Sequence, residues 1–70
     1  MKTEYVVVIE KTENGFGAYV PDLPGCVAAG DTREEAEALI REAVGHHVEM
    51  LRENGDPVPE PRATASLASA

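Results

Sequence analysis

The chain is poor in several residue types, and each scarcity removes a class of explanation. Only one of the 70 residues is cysteine, Cys26, so no intramolecular disulfide can close and no four-cysteine zinc site can form. Basic residues are few: 6 Lys plus Arg stand against 13 Asp plus Glu, a formal charge of −7. A phosphate-binding face needs clustered Lys or Arg, so direct binding to nucleic acid is not expected. Serine occurs only at Ser66 and Ser69, in a weakly patterned terminal stretch, which argues against a serine hydrolase. No apolar run approaches the roughly 18 residues that a membrane-spanning helix needs, and no signal-peptide pattern opens the chain. What remains is one small acidic domain, expected in the cytoplasm and near the size at which a partner helps stability.

Residues 4–11 are dense in β-branched and aromatic types and read as a strand. Asn14-Gly15 follows, a strong hairpin signal, because a type I′ turn needs positive φ at both central residues. With those two as the loop, the expected register sets Glu13 opposite Phe16, Lys11 opposite Ala18 and Ile9 opposite Val20. One face then carries Tyr5, Val7, Ile9, Phe16, Ala18 and Val20 and is assigned to the core. The other carries Val6, Val8 and Tyr19 beside Glu10, Thr12 and Gly17, more apolar at one end than a solvated face requires. Pro21-Asp22-Leu23-Pro24-Gly25 breaks the pairing, and Cys26–Ala29 is long enough for a short third strand closed by Gly30-Asp31.

The helix signal is the clearest in the chain. Thr32 with Glu35 three residues on is a capping box, Glu34 suits the positive end of the dipole, and Asn54-Gly55 followed by Pro57 marks the stop. At 100° per residue, Ala36, Leu39, Ile40, Ala43, Val44, His47, Met50 and Leu51 form a stripe about 140° wide, assigned to the core. Glu34, Arg41, Glu42, Gly45, Glu49, Arg52 and Glu53 fall on or near the other side, and Glu37 and Arg41 sit at the favourable i,i+4 spacing. Gly45 is a weak point worth roughly 1 kcal/mol relative to Ala. The charge is uneven: residues 31–56 hold 3 basic and 8 acidic groups, so this segment carries −5 of the −7. Such a surface is either an ordinary solvated face or one that steers a basic partner. Beyond residue 56 the pattern fades into a Pro-rich, then Ala/Ser-rich stretch, read as a tail or a poor fourth strand. The expected division is therefore a β-β-β-α domain over residues 1–56 and a tail over 57–70.

No residue set imposes a catalytic constellation. His46 and His47 are adjacent and point about 100° apart on a helix, so they cannot grip one metal as an i,i+4 pair does. Cys26 has no neighbouring His or Lys and reads as a small buried hydrophobe. Asp22, Asp31 and Glu35 could gather around Mg²⁺ in a nuclease, but turn formation and helix capping account for them equally. Neither a cofactor nor an enzymatic activity is expected.

The run Phe16-Gly17-Ala18-Tyr19-Val20-Pro21-Asp22-Leu23-Pro24-Gly25-Cys26, then Gly30-Asp31-Thr32-Arg33-Glu34-Glu35-Ala36, resembles the HicB family of type II toxin–antitoxin antitoxins. The likeness extends over roughly residues 4–61, including Glu42-Ala43 and the Gly55–Pro61 segment. It implies an α+β, two-layer, partial RNase H-like fold: three antiparallel strands, one helix on a face and often a fourth strand. It also implies a role, the covering of HicA, a small basic toxin that cleaves mRNA with a histidine. Family members commonly continue into a DNA-binding domain; a short form without one is expected here. The contact candidates are Val6, Val8 and Tyr19 on the second sheet face, Pro21, Asp22, Leu23, Pro24 and Cys26 in the turn, and Glu42 and Glu49 on the helix. The alternative is a solitary homo-oligomeric domain, for which an open sheet edge and exposed Val6 and Val8 would supply the contact.

Overall fold

A computed structural model of the chain describes residues 3–70. Strands β1 (Val8–Lys11), β2 (Phe16–Tyr19) and β3 (Val27–Gly30) form an antiparallel sheet in the order β1-β2-β3, and helix α1 (Arg33–Glu53) packs on one face. The fold class is α+β, as the residue pattern and the resemblance imply.

The first hairpin departs from the expected register. Ile9 pairs with Ala18 and Lys11 with Phe16, and the Thr12 N–H donates to the Gly15 carbonyl at 2.8 Å. The two residues at the tip are therefore Glu13 and Asn14, not Asn14 and Gly15. No non-glycine residue among those described has positive φ, so the turn is not type I′. The slip is two residues along the partner strand, an even number, so every side chain keeps its face. Tyr5, Val7, Ile9 and Phe16 line the core, and Ala18 and Val20 are fully within it. Gly15 serves a different purpose from the one its dipeptide suggests. A Cβ there would lie 2.5 Å from the Gly30 carbonyl oxygen, and one on Gly30 would lie 2.8 Å from the Ala36 nitrogen. Two bare backbones thus let the hairpin, the end of β3 and the first turn of α1 meet at one point.

The β2–β3 connection is two turns in series. Leu23 N–H donates to Val20 O at 3.1 Å and Cys26 N–H to Leu23 O at 3.0 Å. The second has Pro24 and then Gly25 at φ +85° in its central positions, the requirement of a type II turn. The double turn drives Leu23 into the core, where it and Ile40 are the largest fully buried side chains. At the helix start, Thr32 Oγ1 accepts from Glu35 N–H at 3.1 Å, and Glu35 Oε1 accepts from Asp31 N–H at 2.8 Å. At its end, Gly55 (φ +74°) donates to Arg52 O and Asp56 to Leu51 O, the two bonds of a Schellman motif.

Residues 57–70 form no strand; the segment is held to the domain by side chains. The Tyr5 hydroxyl donates to the Pro59 carbonyl, and Asp22 Oδ2 accepts from the Arg62 and Ala63 N–H groups, each at 3.0 Å. The turn aspartate is thus a clamp on a segment some forty positions away.

Two expectations follow. Gly15→Ala and Gly30→Ala should each destabilise by about 1–3 kcal/mol, whereas Gly45→Ala, with open space around its Cβ and helical backbone, should stabilise by about 1 kcal/mol. Urea unfolding of the three variants checks this, and equal effects would contradict it. In Asp22→Ala, amide exchange should accelerate at Arg62 and Ala63 but not in β2, read by hydrogen–deuterium exchange.

Candidate protein-binding site

A 21-residue helix is about 31 Å long, whereas a four-residue strand covers about 13 Å. Three such short strands cannot cover the whole apolar stripe. Ala36 and Ile40 are fully buried, and Ala43, Val44 and Val48 pack against the core. Leu39 and Met50 do not: they remain 42 % and 51 % exposed, which corrects their assignment to the core. They lie eleven residues apart, three turns along the same flank, about 16 Å from one to the other. Glu42, His46 and Glu49 are exposed on that side of the helix, with a His46–Glu42 distance of 3.9 Å. Apolar anchors with surrounding carboxylates therefore share one helix flank. The neighbouring flank is different: Glu37 and Arg41 pair at 2.7 Å and face the β1 side of the sheet.

The sheet face turned away from the helix forms a second apolar surface. Val8, Tyr19 and Val27 lie in one cross-strand row, with Val6 preceding it. Val27 is 67 % exposed, Tyr19 is exposed, and Val6 and Val8 are half-buried. Helix flank and open sheet face occupy opposite layers of the molecule. Val6, Val8 and Tyr19 therefore lie on a different layer from Glu42 and Glu49.

The turn residues divide. Pro21 and Pro24 are exposed, Asp22 is half-buried and engaged with the tail, and Leu23 and Cys26 are in the core. Leu23 and Cys26 thus shape the turn from beneath rather than offering contact area. Burial also pushes the Cys26 thiol above its usual pKa, the opposite of what a nucleophile needs. Asp22 lies in the loop before β3, whereas Asp31 and Glu35 follow it, so the suggested carboxylate trio sits at opposite ends of a strand. Among the described residues no group of three His, Cys, Asp or Glu side chains is placed to hold a metal ion. His47 is half-buried on the inner part of the helix and His46 is exposed.

Residue patterns alone missed three exposed apolar groups, Leu39, Met50 and Val27. For Val27 a signal existed: continuing the period-2 alternation across the second turn sets it on the same face as Tyr19. For the helix pair there was none, because periodicity reports direction and not how far the opposing layer extends.

Residues 5–70 match the model of the HicB-like antitoxin of bacterial toxin–antitoxin systems. The chain is 41 % identical over 56 residues to an uncharacterized 14.9 kDa protein of Haemophilus phage HP1, covering 80 % of this chain and 42 % of that protein. It is 35 % identical over 57 residues to Antitoxin HicB 2 of Photorhabdus laumondii, covering 81 % and 41 % respectively. The chain thus spans about two fifths of each of these relatives. Among solved structures, a chain of a HicA3 and HicB3 toxin–antitoxin complex superposes with a TM-score of 0.72 at 38 % identity, over 86 % of this chain and 70 % of that one. The turn-plus-capping motif, the three-strand, one-helix architecture and the extent of the match lead to one conclusion: the chain belongs to the HicB-like antitoxin family.

Proposed function

We propose that this chain is an antitoxin-type binding module that neutralises a small basic, mRNA-cleaving toxin of the HicA kind by protein–protein contact, without catalysis of its own. The observation that carries the proposal is the superposition on a chain of a toxin–antitoxin complex across most of the present chain. Physical chemistry supports it. A net charge of −7 with −5 in the helix segment attracts a basic partner over a Debye length, raising the encounter rate. Leu39 and Met50, left uncovered within that acidic field, supply the apolar anchors that a long-lived complex needs. Glu42 and Glu49 are the rim, where charge sets rate and salt dependence more than residence time. We place the module in the cytoplasm, where its proposed partner would meet mRNA; no helix among the described residues is long and apolar enough to cross a membrane.

The test uses a small basic protein of the HicA kind, sought first in the reading frames that neighbour this chain's own. Titration should give a defined complex, and its RNA cleavage should stop on addition of this chain. The Glu42→Lys, Glu49→Lys double variant should lose at least tenfold in affinity at low salt, a deficit that shrinks as salt rises, through a slower association rate. Tyr19→Asp, on the opposite layer, should bind normally. Unchanged affinity in the helix variant together with loss in the sheet variant would move the site to the open sheet face; no complex at all would end the reading.

A further inference from the structure

A groove runs between the outer edge of β1 and helix α1, lined by Tyr5, Val7, Ile9 and Val44 with Arg33 and Arg41 along its rim. β1 pairs with β2 on its inner side and, among the described residues, has no strand on this one. A free strand edge beside an apolar floor is the arrangement that takes an added strand, main chain to main chain, with alternate side chains in the groove.

The chain itself contains a matching strand. From Ala63 to Ala70 there is no charged side chain, no proline and no glycine. Ala63, Ala65 and Leu67 fall on one face at period 2, with Thr64 and Ser66 on the other. Leu67 is nonetheless fully exposed, and every residue from 64 to 70 lies on the surface. The segment lies within the match to the family model, which runs to residue 70, yet in the single chain its one large apolar side chain covers nothing.

Its own groove is not where it heads. Pro59 lies at Tyr5, before β1, and Arg62 and Ala63 lie at Asp22 in the β2–β3 connection. Between these points the segment crosses the end of the sheet away from the β1 edge. We propose that residues 64–69 of one copy add as a strand to the β1 edge of a second copy, seating Leu67 over Val7 and Val44. Charge favours this route for like molecules. Two chains of −7 repel each other, but the donated segment is uncharged, and the groove sets Arg33 and Arg41 against Glu4 and Glu37. The proposal does not depend on the antitoxin reading, since it concerns the chain alone.

Sedimentation velocity of the full chain over a concentration series tests it. The expected result is a reversible monomer–dimer equilibrium with a dissociation constant on the order of 10–100 μM, raised at least tenfold by Leu67→Asp. Circular dichroism of that variant should be unchanged, because Leu67 packs on nothing within the chain. As a geometric arm, chains with Leu67→Cys are mixed with chains with Arg41→Cys under mild oxidation; disulfides joining the two variants should dominate over those joining like chains. The native Cys26 is buried and does not compete. A monomer at every concentration overturns the proposal. So does a dimer indifferent to Leu67→Asp, which would indicate pairing through Val8, Tyr19 and Val27. An intramolecular disulfide in the Leu67→Cys, Arg41→Cys double variant at high dilution also overturns it, because the segment would then fold back on its own groove.

Discussion

The contact on which the rest of the molecule depends is the meeting of three backbones at Gly15, Gly30 and the first turn of α1. The space between Gly30 and the Ala36 nitrogen is too small for a side chain. Because it is empty, the helix begins directly on the end of β3. The capping bonds of Thr32 and Glu35 then fix its first turn against Asp31. Everything downstream is orientation: with its start pinned there, the helix lies along the sheet with Ala36 and Ile40 inward and the Leu39–Met50 flank outward. A looser junction would let the helix rotate, and a rotation of some tens of degrees would bury that flank and expose the core.

The second determinant is a mismatch of lengths. A helix more than twice as long as the strands beneath it must leave apolar surface uncovered. Tyr5 and Asp22 hold residues 59–63 by hydrogen bonds, while Leu39 and Met50 remain exposed on the flank that carries Glu42 and Glu49. Among the described residues both outer strands, β1 and β3, also have an unpaired edge. A binding module and a chain with unfinished surfaces are, in this sense, the same object: uncovered area costs stability alone and supplies affinity in a complex.

Much of this was legible in the residues, and the reasons differ by element. The capping box and the Asn54-Gly55 stop are local chemistry, complete within six or seven positions, and the structure forms both. The Asn14-Gly15 dipeptide is local too, yet it misled, because Gly15 answers to the Gly30 carbonyl rather than to turn geometry. The error did not propagate to the faces because the slip was even. The clamp of Asp22 on residues 62–63 was out of reach: its partners are 40 and 41 positions away and are backbone groups, which carry no sequence signature. Of the candidate contacts, Leu23 and Cys26 turned inward because the double turn points its middle at the core, something a string of turn-forming residues does not disclose.

The exposed, acidic flank of α1 is the surface we propose meets a basic protein. Hydrogen–deuterium exchange gives only backbone protection, so the most direct measurement is side-chain methyl and backbone NMR of this chain on titration with a small basic protein of the HicA kind. The account predicts that shifts and broadening concentrate at Leu39, Glu42, Glu49 and Met50, while Val8, Tyr19 and Val27 stay in place. Perturbation confined to the open sheet face, or none anywhere at saturating partner, would contradict it.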